Sequence, residues 1–95
     1  MIHVVAKAIV QIEMQDEYKE VASQLVEMTR NEKGCISYGL YQEKDDPTVM
    51  TFLEIWEDME SLEAHFKTDH FTRLVPRLGK LRDSSEVNIY HPLND

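Results

Sequence analysis

Residues 54–71 read Glu54-Ile-Trp56-Glu-Asp58-Met-Glu-Ser-Leu-Glu-Ala-His65-Phe66-Lys-Thr-Asp-His70-Phe71. An apolar strand ends here on a large aromatic, Trp56, and Asp58 turns the chain at once into a helix. A Thr-Asp break then separates two short helices, predicted at about 59–66 and 70–82, and places His65 and His70 on either side of it. Pro76 inside the second helix predicts a kink or a late start.

The elements before and after follow the same kind of reading. Thr48 to Trp56 is the strand that leads into this stretch, and the turn Glu43-Lys-Asp-Asp-Pro47 joins it as a hairpin to a strand over Cys35–Gln42. Upstream, Tyr18, Val21, Ala22, Leu25, Met28 and Thr29 recur at three- and four-residue steps, which predicts a helix capped by Asp16 and ended by Gly34. Residues 2–12 alternate, with Ile2, Val4, Ala6, Ala8, Val10 and Ile12 on one face of a strand. Glu86 to His91 closes the chain as a fourth strand. The order is β-α-β-β-α-β, an α+β chain of ferredoxin-like type, predicted as a single domain over residues 1–95. Such a sheet carries its helices on one face. The third strand is nevertheless apolar on both, with Val49, Leu53 and Ile55 opposite Met50, Phe52 and Trp56. A few hundred Å² of wet apolar sheet at about 25 cal/mol per Å² is a large loss for a domain of this size. A homodimer packed sheet to sheet is therefore expected.

Composition narrows the partners. The net charge is −8, which opposes nucleic acid and anionic membranes, because both are bound through Lys and Arg. The one basic cluster, Arg73, Arg77, Lys80 and Arg82, reads as solvated charge near a helix C-terminus. No apolar run approaches a membrane span, and the Met-Ile-His-Val-Val-Ala-Lys start lacks the layout of a secretory signal. The lone Cys35 has no cysteine partner for a disulfide, so a reducing cytoplasm is the expected location.

Most chemical motifs are absent or imperfect. The three glycines are too scattered for a nucleotide loop. Cys35-Ile-Ser37-Tyr-Gly39 departs from a nucleophile elbow in its first residue and lies in a strand. His65 and His70 are five apart, unlike the four-residue step of a zinc helix, so no metal is expected. Glu54 is the acidic residue on the Trp56 side of its strand; pairing with a cation such as Lys7 explains it as well as chemistry does. A pocket remains. Leu62, His65 and Phe66, with Phe71 and Leu74 past the break, are expected to pack over Phe52 and Trp56, beside Tyr38 and Leu40. A dry aromatic hollow with imidazoles suits removal of a proton from a phenol-like or enolisable molecule. The resulting anion is electron-rich enough to react with dioxygen directly, so no cofactor is expected.

At this point the sequence resembles a known family. Glu54-Ile-Trp56 through His70-Phe71, with Gly34-Cys35-Ile-Ser-Tyr38 before it, is similar to antibiotic biosynthesis monooxygenases, and most to their small quinol-monooxygenase-like members. The Trp…Leu-Glu-Ala-His pattern is the most specific part. The resemblance implies a dimeric α+β barrel, a pocket between sheet and helices in each subunit, and cofactor-independent oxygenation of quinols or polycyclic phenols. The resemblance matches Trp56, His65, His70 and Tyr38 to pattern positions; with the pocket, His65 is the expected general base, His70 a second polar or orienting catalytic group, and Tyr38, Phe52, Trp56, Phe66 and Phe71 the expected substrate walls. Met50 and Phe52 stand where some antibiotic-pathway members carry polar groups, which argues against a polyketide-type substrate. His65 and Val75 occupy about the places where haem-degrading relatives need a tryptophan and a ligand, so haem cleavage is not expected. Two alternatives have the same helices: an isomerase of a small phosphorylated dicarbonyl signal anchored by Arg73 or Arg77, and a ligand-binding dimer without chemistry.

Overall fold

The computed structural model describes residues 1–94. Strand β1 (Ile2–Val10) is followed by one 3-10 turn (Ile12–Met14) and helix α1 (Gln15–Thr29). The hairpin β2 (Cys35–Gln42) and β3 (Val49–Trp56) comes next, then helices α2 (Met59–Phe66) and α3 (Asp69–Gly79), and strand β4 (Arg82–Tyr90). The four strands form one antiparallel sheet in the order β2-β3-β1-β4. This is the ferredoxin-like α+β fold, with its second helical segment split in two. No helix is long and apolar enough to cross a membrane.

The register sorts the side chains into two faces. Val4 lies opposite Glu54, Ala6 opposite Phe52 and Ala8 opposite Met50; Tyr38 lies opposite Glu54 on the other side. Because strand side chains alternate, this whole set faces the helices. Tyr18, Val21, Ala22 and Leu25 of α1, Leu62 of α2, and Leu74 and Leu78 of α3 close over it as a continuous core. The opposite face carries Val5, Ile9, Leu53, Ile55, Tyr41 and Tyr90. Leu53 is 42% exposed, Tyr41 55% and Tyr90 52%. No element of the described chain covers them.

Several boundaries differ from the sequence expectation. Met14, without a side-chain cap, precedes α1, and Asp16 sits inside its first turn. The 3-10 turn brings the chain round earlier than the apolar periodicity begins. The same helix stops at Thr29, so Gly34 is not its cap. Gly34 instead takes φ +85°, and a Cβ there would stand 2.1 Å from Ser61 Oγ. Its role is to let the loop after α1 lie against the start of α2. The last helix ends at Gly79, and β4 starts at Arg82 rather than Glu86. Strand β4 is an edge strand exposed along most of its length, so it has no apolar alternation to reveal its beginning.

Candidate functional site

A cavity of about 120 Å³ lies between the sheet and the helices. Its floor is Val4, Ala6, Ala8 and Phe52; Phe66, Phe71 and Val75 form the helical wall. At one end stand Tyr38, Glu54 and His65, and at the other Tyr18, Arg82 and Ser85. A hollow of about 150 Å³ lined by apolar side chains holds one benzene ring. This one therefore matches a single ring better than a fused polycycle.

Local structure fixes His65. Asp58 caps α2 by accepting from the Ser61 amide at 2.8 Å, and one and two turns later Leu62 and His65 face inward. Thr68 caps α3 by accepting from the Phe71 amide at 3.2 Å, while its hydroxyl donates to the His65 carbonyl at 2.8 Å. The break between the helices is thus what holds the imidazole at the corner. That ring is 1% exposed. It lies 4.7 Å from the Trp56 ring, 5.0 Å from Phe71 and 5.5 Å from Tyr38, centre to centre.

The residue that completes the arrangement is Glu32, which the sequence reading passed over. It lies in the loop after α1, with its carbonyl accepting from the Cys35 amide. One carboxylate oxygen, Oε2, is 2.7 Å from His65 Nδ1 and 2.6 Å from His70 Nε2. A carboxylate only accepts, so we assign the proton of His65 to Nδ1 and that of His70 to Nε2. None of the hydrogen bonds among the described residues involves His65 Nε2, which leaves its lone pair free on a ring that borders the hollow. Burial pushes the His65 pKa below its ordinary value despite the Glu32 carboxylate, which pulls it upward. The ring is accordingly neutral near pH 7.

Glu54 is the second titratable group at this end. Its Oε1 accepts from the Trp56 indole at 2.9 Å, not from Lys7. Burial pushes its carboxyl up to about 7, the indole bond opposing and the Glu32 charge adding to the rise. A neutral imidazole beside a half-protonated carboxyl is an acid–base pair working at one pH.

The other expected residues divide clearly. Tyr38, Phe52, Phe66 and Phe71 line the cavity with His65. Trp56 does not: it is fully buried behind the His65 and Glu54 side chains, and its indole fixes both rather than touching the hollow. His70 also lies outside the lining and meets the site only through Glu32. Arg73 pairs with Asp69 at 3.4 Å, and neither it nor Arg77 reaches the cavity. Arg82, expected as helical surface charge, lines it instead from β4. Cys35 is a raised-pKa thiol, shifted by burial and then by Glu32 and Glu54, which is the opposite of an activated nucleophile. The Glu32, His65 and His70 ligand atoms lie within 4.8 Å of one another. Both imidazole nitrogens bond the same oxygen, so a metal held there would replace the two ring protons that now lie between them.

Comparison with known proteins agrees with the fold. Residues 1–77 match the family model "Antibiotic biosynthesis monooxygenase". The candidate monooxygenase YcnE of Bacillus subtilis is 30% identical over 77 residues, 81% of this chain and 80% of that one. An uncharacterized Synechocystis protein, sll1783, is 30% identical over 79% of this chain, which spans about half (52%) of its length. A conserved Methanosarcina mazei protein of known crystal structure is 43% identical with a TM-score of 0.92, covering 94% of this chain and 89% of that one. The crystal structure of an antibiotic biosynthesis monooxygenase superposes with a TM-score of 0.94 at 33% identity, over 99% and 100% of the two chains.

Proposed function

The chain belongs to the antibiotic biosynthesis monooxygenase family, and from that premise we propose that it oxidises a quinol- or phenol-like small molecule with dioxygen, unaided by a cofactor. One observation carries the reading. His65 is a buried neutral imidazole whose Nδ1 is tied to Glu32 and whose Nε2 is free, on the wall of an apolar hollow.

The reaction divides among these groups. His65 Nε2 takes the hydroxyl proton of the bound ring, and Glu32 stabilises the imidazolium that forms and holds its orientation. The ring anion transfers an electron to dioxygen, and the two radicals combine into a ring peroxide. Glu54, in its protonated form, gives its proton to the outer oxygen. The O–O bond breaks, the ring C–H proton is lost, and water leaves. Quinol plus dioxygen becomes hydroxyquinone plus water; the ring supplies all four electrons, so no outside reductant is required. The apolar walls of Phe52, Phe66 and Phe71 suit dioxygen and keep water from the peroxide. Tyr38 stays a neutral phenol, its pKa driven up by burial and then by the Glu54 and Glu32 charges, and orients the ring by a hydrogen bond.

The active form is a homodimer in this reading. Its support is the bare apolar face around Leu53, Ile55 and Tyr41, which a second sheet would cover. Oxygen uptake with reduced benzo- and naphthoquinones tests the function. Wild type consumes oxygen and His65→Ala falls to the uncatalysed rate. Equal uptake by both proteins would remove His65 from the mechanism.

A further inference from the structure

The end of the cavity away from His65 carries polar groups that the proposed oxidation leaves unused. Tyr18 is fully buried, lines the hollow, and its hydroxyl has no hydrogen-bond partner. A buried hydroxyl left without a well-formed hydrogen bond is costly, so one kept on a cavity wall points to a group that would meet it there. Arg82 stands beside it. The first residue of β4, it lies opposite Val10 on the helix face of the sheet, and one of its terminal nitrogens is next to Gly79. It makes no ion pair among the described residues. Its charge and its side-chain contact with the Tyr18 hydroxyl both oppose the upward pull of burial on that group. Ser85, opposite Ala8, adds a hydroxyl on the same side. The other bordering cation, Lys7, alternates onto the far face of the sheet.

These donors are well separated from the acid–base pair. Glu54 lies opposite Val4 and Ser85 opposite Ala8, and four strand residues at ~3.3 Å each put ~13 Å between those positions. Glu54 therefore does not cancel the Arg82 charge. We infer that Tyr18 and Arg82 form a subsite for an anionic oxygen group, so that the substrate is a single ring bearing a short acidic side chain. The ring sits by His65, and the carboxylate or phosphate reaches the β4 end. This rests on the oxidation reading for the position of the ring and adds the class of molecule.

The test compares 3-(4-hydroxyphenyl)propanoate with its uncharged counterpart 4-propylphenol, titrated against the whole chain by Trp56 fluorescence and by calorimetry. A carboxylate met by two donors, one of them charged, binds wild type at least about tenfold tighter than the neutral phenol. Arg82→Gln brings the acid and phenol affinities together; Tyr18→Phe reduces the acid's advantage; Arg82→Lys retains part of it. Adding 2-(4-hydroxyphenyl)ethyl phosphate separates the two anions, since the tighter of the two identifies the group. Equal affinities for acid and phenol in wild type, or an advantage that survives Arg82→Gln, overturn the subsite while leaving the oxidation reading intact. Failure of every ligand to bind wild type removes both. Should Arg82→Gln not fold, Tyr18→Phe alone decides, because an unchanged acid advantage there refutes the subsite.

Discussion

Replacing Glu54 with Gln gives the sharpest physical test of the site, because the effect has a sign that depends on pH. The carboxyl is 7% exposed, and burial raises it from 4.5 to about 7. A group raised in the fold favours folding fully below its unfolded value, and that contribution is lost as pH rises through the folded one. Below pH 4.5 the wild-type carboxyl is protonated in both states, so Glu54→Gln is close to neutral. Between 4.5 and 7 the wild type alone loses stability, at about 1.4 kcal/mol per pH unit. Above pH 8 the variant is the more stable by up to about 3 kcal/mol, a ceiling that water entering the cavity lowers. Glutamine still offers an oxygen to the Trp56 indole, so the hydrogen bond at 2.9 Å is kept and the charge alone is removed. For a domain of this size 1 kcal/mol moves Tm by about 4–8 °C, so the separation is on the order of 10 °C at pH 8.5. Urea and thermal melts at fixed protein concentration, from pH 4 to 9, read it directly. A gap that does not change with pH, or a wild type more stable than Glu54→Gln at pH 8.5, refutes the burial argument.

Further outcomes follow from the same geometry. Glu32→Gln keeps an accepting oxygen for the two imidazoles but removes the charge that stabilises the imidazolium, so kcat drops by about 10²-fold while the fold is retained by circular dichroism. The pH–rate profile is bell-shaped. Its acid limb lies below 6.5, where the lowered His65 gains a proton, and its alkaline limb lies near 7, where Glu54 loses its own. Gly34→Ala meets Ser61 Oγ at 2.1 Å with φ +85° and destabilises by about 2 kcal/mol or more in urea titration. Leu53→Arg places a charge on the bare sheet face and shifts sedimentation from dimer to monomer; a wild type that is itself monomeric at micromolar concentration defeats the interface.

The parts of this molecule that a reader of the chain could see are those whose signal is local. Alternation in residues 2–10, the helical step from Tyr18 to Thr29, and the charged turn before β3 each mark an element within a few residues of itself. The start of strand β4 escaped because Arg82 to Ser85 are polar and lie on an edge, where burial imposes no pattern. His65 was visible for its place beside Trp56 and the helix break. Glu32 was not, since the contact that matters spans 33 residues and nothing around it in the loop distinguishes it from the other 17 acidic residues of 18. Trp56 was noticed for its size, and its work turns out to be support: the indole holds Glu54 rather than a ligand. Arg82 was assigned to the wrong element, so its place on the cavity could not be foreseen.

A single oxygen shared by two rings makes the inside of this protein legible from its outside. His65 is sealed in, but His70 has 17% of its side chain in solvent, and both lean on the same atom. Two rings held by one atom do not move independently. An arrival or departure in the interior that moves the shared oxygen is therefore felt at the outer ring, and the resonances of that one surface imidazole become a gauge of what the hollow contains.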